Sequence, residues 1–140
     1  MIKFIFDDSN FRSYINGAIA KLENVSDFNL MLSGYLSDAV ETAFEKESDP
    51  VTHEKWKPLS ERRIKERKGN AHPILQDTGI LAGSINPFSN ESMAGIGTSV
   101  DYAVVHQFGK GKIPMRRFIG ISEDDRNEIV SIGEKWFFGK

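Results

Sequence analysis

Between Gly95 and Gly120 the chain reads GIGTSVDYAVVHQFGKGKIPMRRFIG, and this stretch constrains the fold more tightly than any other. Met93 to Thr98 combines apolar and small residues and ends in Gly95-Ile96-Gly97, the composition of a strand whose glycines allow a bulge or a close backbone approach. Asp101 is positioned to cap a short helix on which Tyr102, Val105 and His106 share one face, and Gly109 supplies the residue that ends it. Lys110 to Ile113 then reads as an exposed basic loop and Pro114 stiffens its exit. Phe118-Ile119-Gly120-Ile121 has the composition of a further strand. The predicted order is strand, short helix, basic loop, strand.

Working outward, Thr78-Gly79 to Ser84 predicts a short helix running into a strand at Ile85 to Ser89. Asn90-Glu91-Ser92 then turns the chain so that Met93 to Thr98 returns antiparallel. Ser122, three residues before Asp125, predicts a capping box for a final helix that presents Ile129, Val130, Gly133, Trp136 and Phe137 inward. Toward the N-terminus, Ile2 to Phe6 suits a short strand, and Ser9 or Asn10 can cap a helix carrying Phe11, Tyr14, Ile15, Ala18, Ile19 and Leu22 at helical spacing. The strongest periodic signal is a second helix. Phe28, Met31, Leu32, Tyr35, Leu36, Ala39, Val40, Ala43 and Phe44 trace one apolar stripe, with Asp27 as the expected cap and Asp49-Pro50 as the stop.

Residues 50–73 hold three prolines, a glycine and little apolar material around a charged helix near Ser60 to Lys68, capped by Ser60. Such a segment reads as a long, poorly anchored, flexible excursion. The elements together predict an α+β domain: two N-terminal helices and a C-terminal helix on one face of a small antiparallel sheet, interrupted by that central excursion.

Three blocks of residues carry a likeness to a known family. They are Trp56-Lys57-Pro58-Leu59-Ser60 followed by a basic helix, then Ile74 to Ile85 with Leu75, Thr78-Gly79 and Leu81-Ala82-Gly83-Ser84, and then Gly97-Thr98 through Tyr102-Ala103 and His106-Gln107-Phe108-Gly109 to Pro114, Arg116 and Phe118. Their order and spacing, over roughly half the chain, resemble the virion morphogenesis, or tail-completion, family of tailed phages, of the Mu-like prophage G protein type. One departure is visible, since Arg117 stands where the family usually has a proline between arginine and phenylalanine.

With 140 residues the chain has the length of one domain and can bury about two-thirds of its unfolded surface. It contains no cysteine, which excludes disulfides, thiolate metal sites and cysteine nucleophiles and suits a reducing compartment. The N-terminal apolar run is too short for a signal peptide, and no run reaches membrane-spanning length, so a soluble protein made in the cytoplasm is expected. The formal net charge of −2 conceals a strong separation of sign. Residues 1–49 carry four basic and nine acidic side chains, residues 54–68 seven basic and three acidic, and residues 110–117 four basic and no acidic. Separation of this kind steers complementary surfaces together. It is also what the solvated face of a charged helix looks like.

Catalytic patterns are missing. His53 and His72 lack metal-ligand spacing, and His106 has only Asp101, Ser99 and Thr98 near it in sequence, with no nucleophile elbow or zinc helix. A structural role, hydrogen bonding a loop backbone, is the reading for His106. A phosphate loop at Gly111-Lys112 fails because His106 and Ile113 occupy the positions that need Gly and Ser or Thr. Asp124-Asp125 with Glu123 and Glu128 lack the calcium-loop pattern and its required glycine, and read as acids complementing a helix dipole. No cofactor or metal is expected.

The resemblance implies a structural, non-enzymatic virion protein at the neck or tail top, a ring subunit that completes the tail and supports head-tail joining after assembly in the host cytoplasm. Arg62, Arg63, Arg67, Lys110, Lys112, Arg116 and Arg117 are the expected assembly contacts, with copies of itself and other neck and tail proteins as partners. Thr78, Gly79, Tyr102, His106, Gln107, Phe108 and Gly109 are expected to fix loop geometry, and residues 52–73 and 109–115 to be mobile until assembly orders them. Two other classes compete: a protein contacting DNA non-specifically through its basic segments, although a pI near 5.9 and the lack of stacking aromatics argue against it, and a hydrolase using His106. No membrane contact is expected.

Overall fold

A computed structural model describes residues 9–139. The strand expected at Ile2–Phe6 and the side chain of Phe11 lie outside the described residues. The described elements are α1 (Ser9–Glu23), α2 (Ser26–Lys46), α3 (Glu61–Glu66), α4 (Ile80–Gly83), β1 (Asn86–Ser89), β2 (Ala94–Gly97), α5 (Ala103–Phe108) and α6 (Glu123–Phe138). Helices around a two-stranded antiparallel sheet make the fold α+β.

The hairpin forms where the turn chemistry demands it. Asn90 Oδ1 accepts from the amides of Ser92 and Met93 at 2.8 and 2.9 Å, closing an Asx turn. The register runs from Asn86 opposite Gly97 to Ser89 opposite Ala94 without a bulge. Gly95 leaves room for a close approach, since a Cβ there would lie 2.3 Å from Phe88 Cζ and would displace that exposed ring. The ring of Phe88 therefore lies across the space of its cross-strand glycine.

Helix α2 lies across both strands, and α6 packs on α2, with Phe28 and Trp136 in ring contact at 5.7 Å. Asn29, absent from the apolar stripe, is buried and donates to Asn90 O at 2.8 Å, which ties α2 to the hairpin turn. Met31 of the expected stripe is exposed. α2 begins beyond Val25 with no side-chain cap, so Asp27 sits inside the first turn. The helix ends at Lys46, earlier than Asp49-Pro50 requires, because Glu47 turns left-handed at φ 51°. The Glu47 carboxylate accepts from Ile74 N at 3.0 Å and meets His72 Nδ1 at 2.6 Å, contacts that offset the backbone strain.

α1 departs from expectation. Its stripe of Tyr14, Ile15, Ile19 and Leu22 is exposed, with Leu22 at 66 %, so it does not serve as a core wall. Its firmest hold is at the C-terminal end, where Lys21 Nζ donates to the last carbonyls of α6, Trp136 O at 2.9 Å and Phe137 O at 2.7 Å. In α6 the Ser122–Asp125 capping box is formed, while Val130 points to solvent and Ile132 is half-buried.

The core is Val40, Ala43, Phe44, Trp56, Ile74, Leu81, Ala103 and Phe118. Two members belong to the segment expected to be poorly anchored or stand next to it, and they tie it down. Trp56 meets Phe44 edge-on at 5.6 Å and donates Nε1–H to Arg117 O at 2.9 Å, while Ile74 is buried at the other end. α3 is shorter than expected, with Ser60 Oγ capping it by accepting from Arg63 N.

No strand forms at Phe118–Ile121. The amides of Phe118 and Ile119 both donate to Gln107 Oε1 at 3.1 Å, and Gln107 Nε2 donates to Ile119 O at 2.7 Å. One side chain thereby satisfies backbone groups that a neighbouring strand would otherwise have paired.

Candidate functional site

The three blocks of the chain that suggested a family meet in space around one groove of about 890 Å³. The first block contributes Lys57, Pro58, Leu59 and Ser60, the second Leu75, Asp77, Thr78, Ile80 and Leu81, the third Tyr102, His106, Pro114 and Arg116. Arg63 of α3, Arg67 just beyond its end, and Lys112 and Ile113 of the basic loop complete it.

The local structures that form it follow from the sequence. Gly79 takes φ 74° at the start of α4, and Thr78 Oγ1 accepts from Ile80 N at 3.3 Å. Gly109 ends α5 at φ 77°, and a Cβ there would lie 3.0 Å from Met115 N, so both conformation and space require glycine. Lys110 and Ile113 exchange backbone hydrogen bonds at 3.0 and 2.9 Å, with Gly111 at φ 57°, which closes a tight turn instead of a loose loop. α5 starts after Tyr102 without a side-chain cap, so Asp101 does not cap it.

The seven expected contact residues divide into two groups. Arg62, Arg63, Lys110 and Lys112 are exposed. Arg62 is 90 % exposed and pairs with Glu66 at 3.1 Å, and Arg63 pairs with Glu66 and, at 2.9 Å, with Asp77. Arg67, Arg116 and Arg117 are built into the fold, which corrects their assignment as surface contacts. Arg116 is 5 % exposed, and its Nε and Nη2 donate to Lys57 O and Pro58 O at 2.8 and 2.9 Å. Arg67 is buried and donates to Pro73 O at 2.8 Å. Arg117 forms a fork on Asp49, with Nη2 2.8 Å from Oδ2 and Nε 3.0 Å from Oδ1. Burial alone would raise the Asp49 carboxyl, but that fork and the amides of Val51 and Thr52 hold it below the usual carboxylate range.

Of the residues expected to fix loop geometry, Gln107 holds residues 118–119 as described. Phe108 does not act this way, since its ring is 71 % exposed and lies with Val104 on the outer face of α5. The ring of His106 bonds no loop backbone. Its Nδ1 is buried without a partner, the ring stands edge-on to Tyr102 at 6.1 Å, and it is the backbone carbonyl of His106 that accepts from Arg116 N at 2.7 Å. Burial, then the positive charges of Arg116 and Arg63, lower the His106 pKa and favour the neutral ring.

The buried guanidiniums were beyond sequence reasoning. Arg116 is held by carbonyls some 58 residues away in sequence, a pairing that no local pattern encodes. No helix of the described residues is long and apolar enough to cross a membrane, and no metal-holding cluster of His, Cys, Asp or Glu occurs among them.

Comparison with known proteins agrees with the likeness carried by the groove. The model of the phage virion morphogenesis family matches residues 6–137. The Mu-like prophage FluMu G protein 1 of Haemophilus influenzae is 31 % identical over 135 residues, covering 94 % of this chain and 91 % of its own. Protein G of Escherichia phage Mu, whose name assigns it provisionally to capsid assembly, is 28 % identical over 110 residues, 71 % of this chain and 70 % of its own. FluMu G protein 2 is 31 % identical over 113 residues, 76 % and 73 %. No solved structure matches the chain.

Proposed function

Because the chain belongs to the phage virion morphogenesis family, we propose that it acts without catalysis as a ring subunit at the neck or tail top, completing the tail and supporting head-tail joining. The observation that carries this reading is the amount of large apolar surface left uncovered in a single copy. Tyr14, Ile19 and Leu22 on α1, and Val104 and Phe108 on α5, all lie open to solvent. Uncovered faces of this kind mark protein contacts.

The charge separation supports the same reading. In a ring each contact is heterologous, one face of a subunit meeting a different face of the next, so an acidic N-terminal half and a basic middle suit head-to-tail closure. Arg62, Lys110 and Lys112 are exposed members of the basic face, and among the described residues no fold contact depends on their charge apart from the weak surface pair of Arg62. Other neck and tail proteins would bind the ring above and below, in the virion after assembly in the host cytoplasm.

The test is a triple reversal, Arg62→Glu, Lys110→Glu and Lys112→Glu, in the phage or induced prophage. The expected result is a protein with unchanged circular dichroism and thermal midpoint but few infectious particles. Infectious particles at wild-type yield would remove the basic face from assembly.

A further inference from the structure

The groove has a charge imbalance that the fold does not resolve. Five cations line it, Lys57, Arg63, Arg67, Lys112 and Arg116, against the single carboxylate of Asp77. Asp77 is already shared, 2.9 Å from Arg63 and 3.5 Å from Arg67, and Glu66, outside the lining, pairs with Arg63 at 3.2 Å, which still leaves Lys57, Lys112 and Arg116 without a carboxylate among the described residues. Arg116, the most deeply set of the group, meets only carbonyl oxygens and has no ion pair among the described residues. A buried charge ordinarily has a counter-charge. Two buried polar atoms at the same place also lack hydrogen-bond partners, Arg67 Nε on a side chain 5 % exposed and His106 Nδ1. Burial is the first cause of the depressed His106 pKa, and the nearby charges of Arg116 and Arg63 add to it.

The remaining lining is aliphatic. Leu59, Leu75, Ile80 and Ile113 border the cations, and Ile80 and Ile113 stand exposed at the rim. We infer that the groove is a binding site for an acidic side chain carried next to an aliphatic one on an extended segment of a partner chain. The carboxylate enters toward Arg67 and Arg116, and its aliphatic neighbour covers Ile80 and Ile113. The site stands on the groove itself and does not depend on ring formation. A nucleic-acid backbone suits it less well, because duplex phosphates are met by cations that protrude, whereas here two of the five are buried beneath aliphatic walls. Among the described residues only Tyr102 and His106 bring aromatic rings to the lining, and they stand edge-on to each other, too little for base stacking along a strand.

The test is nuclear magnetic resonance on the isotope-labelled intact protein at 150 mM salt, following the arginine Nε–H and His106 ring signals. The probes are acetyl-Leu-Asp-Leu-amide, the same peptide with Asn for Asp, and a short DNA duplex. Saturable shifts with the Asp peptide are expected, about ten-fold weaker binding with the Asn peptide, and about three-fold weaker binding of the Asp peptide to Lys112→Glu, whose exposed position leaves the fold intact. Absence of shifts, or equal binding of the Asp and Asn peptides, would overturn the proposal. Tighter binding of the duplex would overturn it in favour of phosphate. The same shifts on concentrating the protein alone would overturn the assignment to a different chain in favour of a second copy. Infectivity plays no part in this readout, so its failure is separable from failure of the ring proposal.

Discussion

Gln107 does the work of a strand. Its carboxamide accepts from two amides and donates to one carbonyl of residues 118–119, and it thereby seats Phe118, the most deeply buried large side chain among the described residues, against Phe44. Gln107→Ala leaves those groups without partners and should cost about 2 kcal/mol or more in denaturant unfolding, whereas Phe108→Ser next to it should change stability little. Acid sensitivity also has residue-scale origins. The folded-state pKa of Asp49 lies below its unfolded value, so its contribution is present above the ordinary carboxylate range near pH 4 and is lost as pH falls through the depressed value. The lowered His106 pKa acts in the same sense from about pH 6.5 downward, because charging the buried ring opposes folding. Stability measured from pH 7 to pH 3 should therefore fall in two stages. His106→Gln should flatten the first, and Arg117→Gln should reduce the second, to which the lowered carboxyls of Asp125 and Glu66 also contribute.

At the scale of elements, the C-terminal helix has the most legible start. Ser122→Ala removes a cap and should cost about 1 kcal/mol. Tyr35 on α2 donates to the same Asp125 at 2.7 Å, and that bond, followed by burial, pushes its phenol up to about 12. The raised value means stability that is complete below pH 10 and lost between there and pH 12, a segment that Tyr35→Phe should remove from the pH profile. Periodicity and turn chemistry were enough to read α2, the hairpin and α6, because those elements are set by local spacing. Asp27 and Asp101 look like caps, but Val25 and Tyr102 hold those positions, and the turns before them are closed by Asn24 and Thr98, which accept from Ser26 N and Val100 N. The apparent strand at 118–121 and the apparent looseness of 52–73 were settled by Gln107, Trp56 and Arg116, side chains whose partners lie 11 to 61 residues away. Of the groove, the spacing of the three blocks was legible, but which arginines are internal was not.

For the whole molecule, the stripe of Tyr14, Ile19 and Leu22 on α1 stays exposed in a single copy, which suits the proposed contact with a neighbouring subunit. Replacing Tyr14, Ile19 and Leu22 together by Ser should leave the thermal midpoint of the isolated protein within a few degrees, since little of that surface is buried, while lowering particle yield sharply. We propose that this family member is a structural part of the virion required for head-tail joining, and the deciding experiment is electron microscopy of a lysate from which only this gene has been deleted. Filled heads beside separate, overlong or unfinished tails are the predicted result. Intact, normally tailed virions would contradict it.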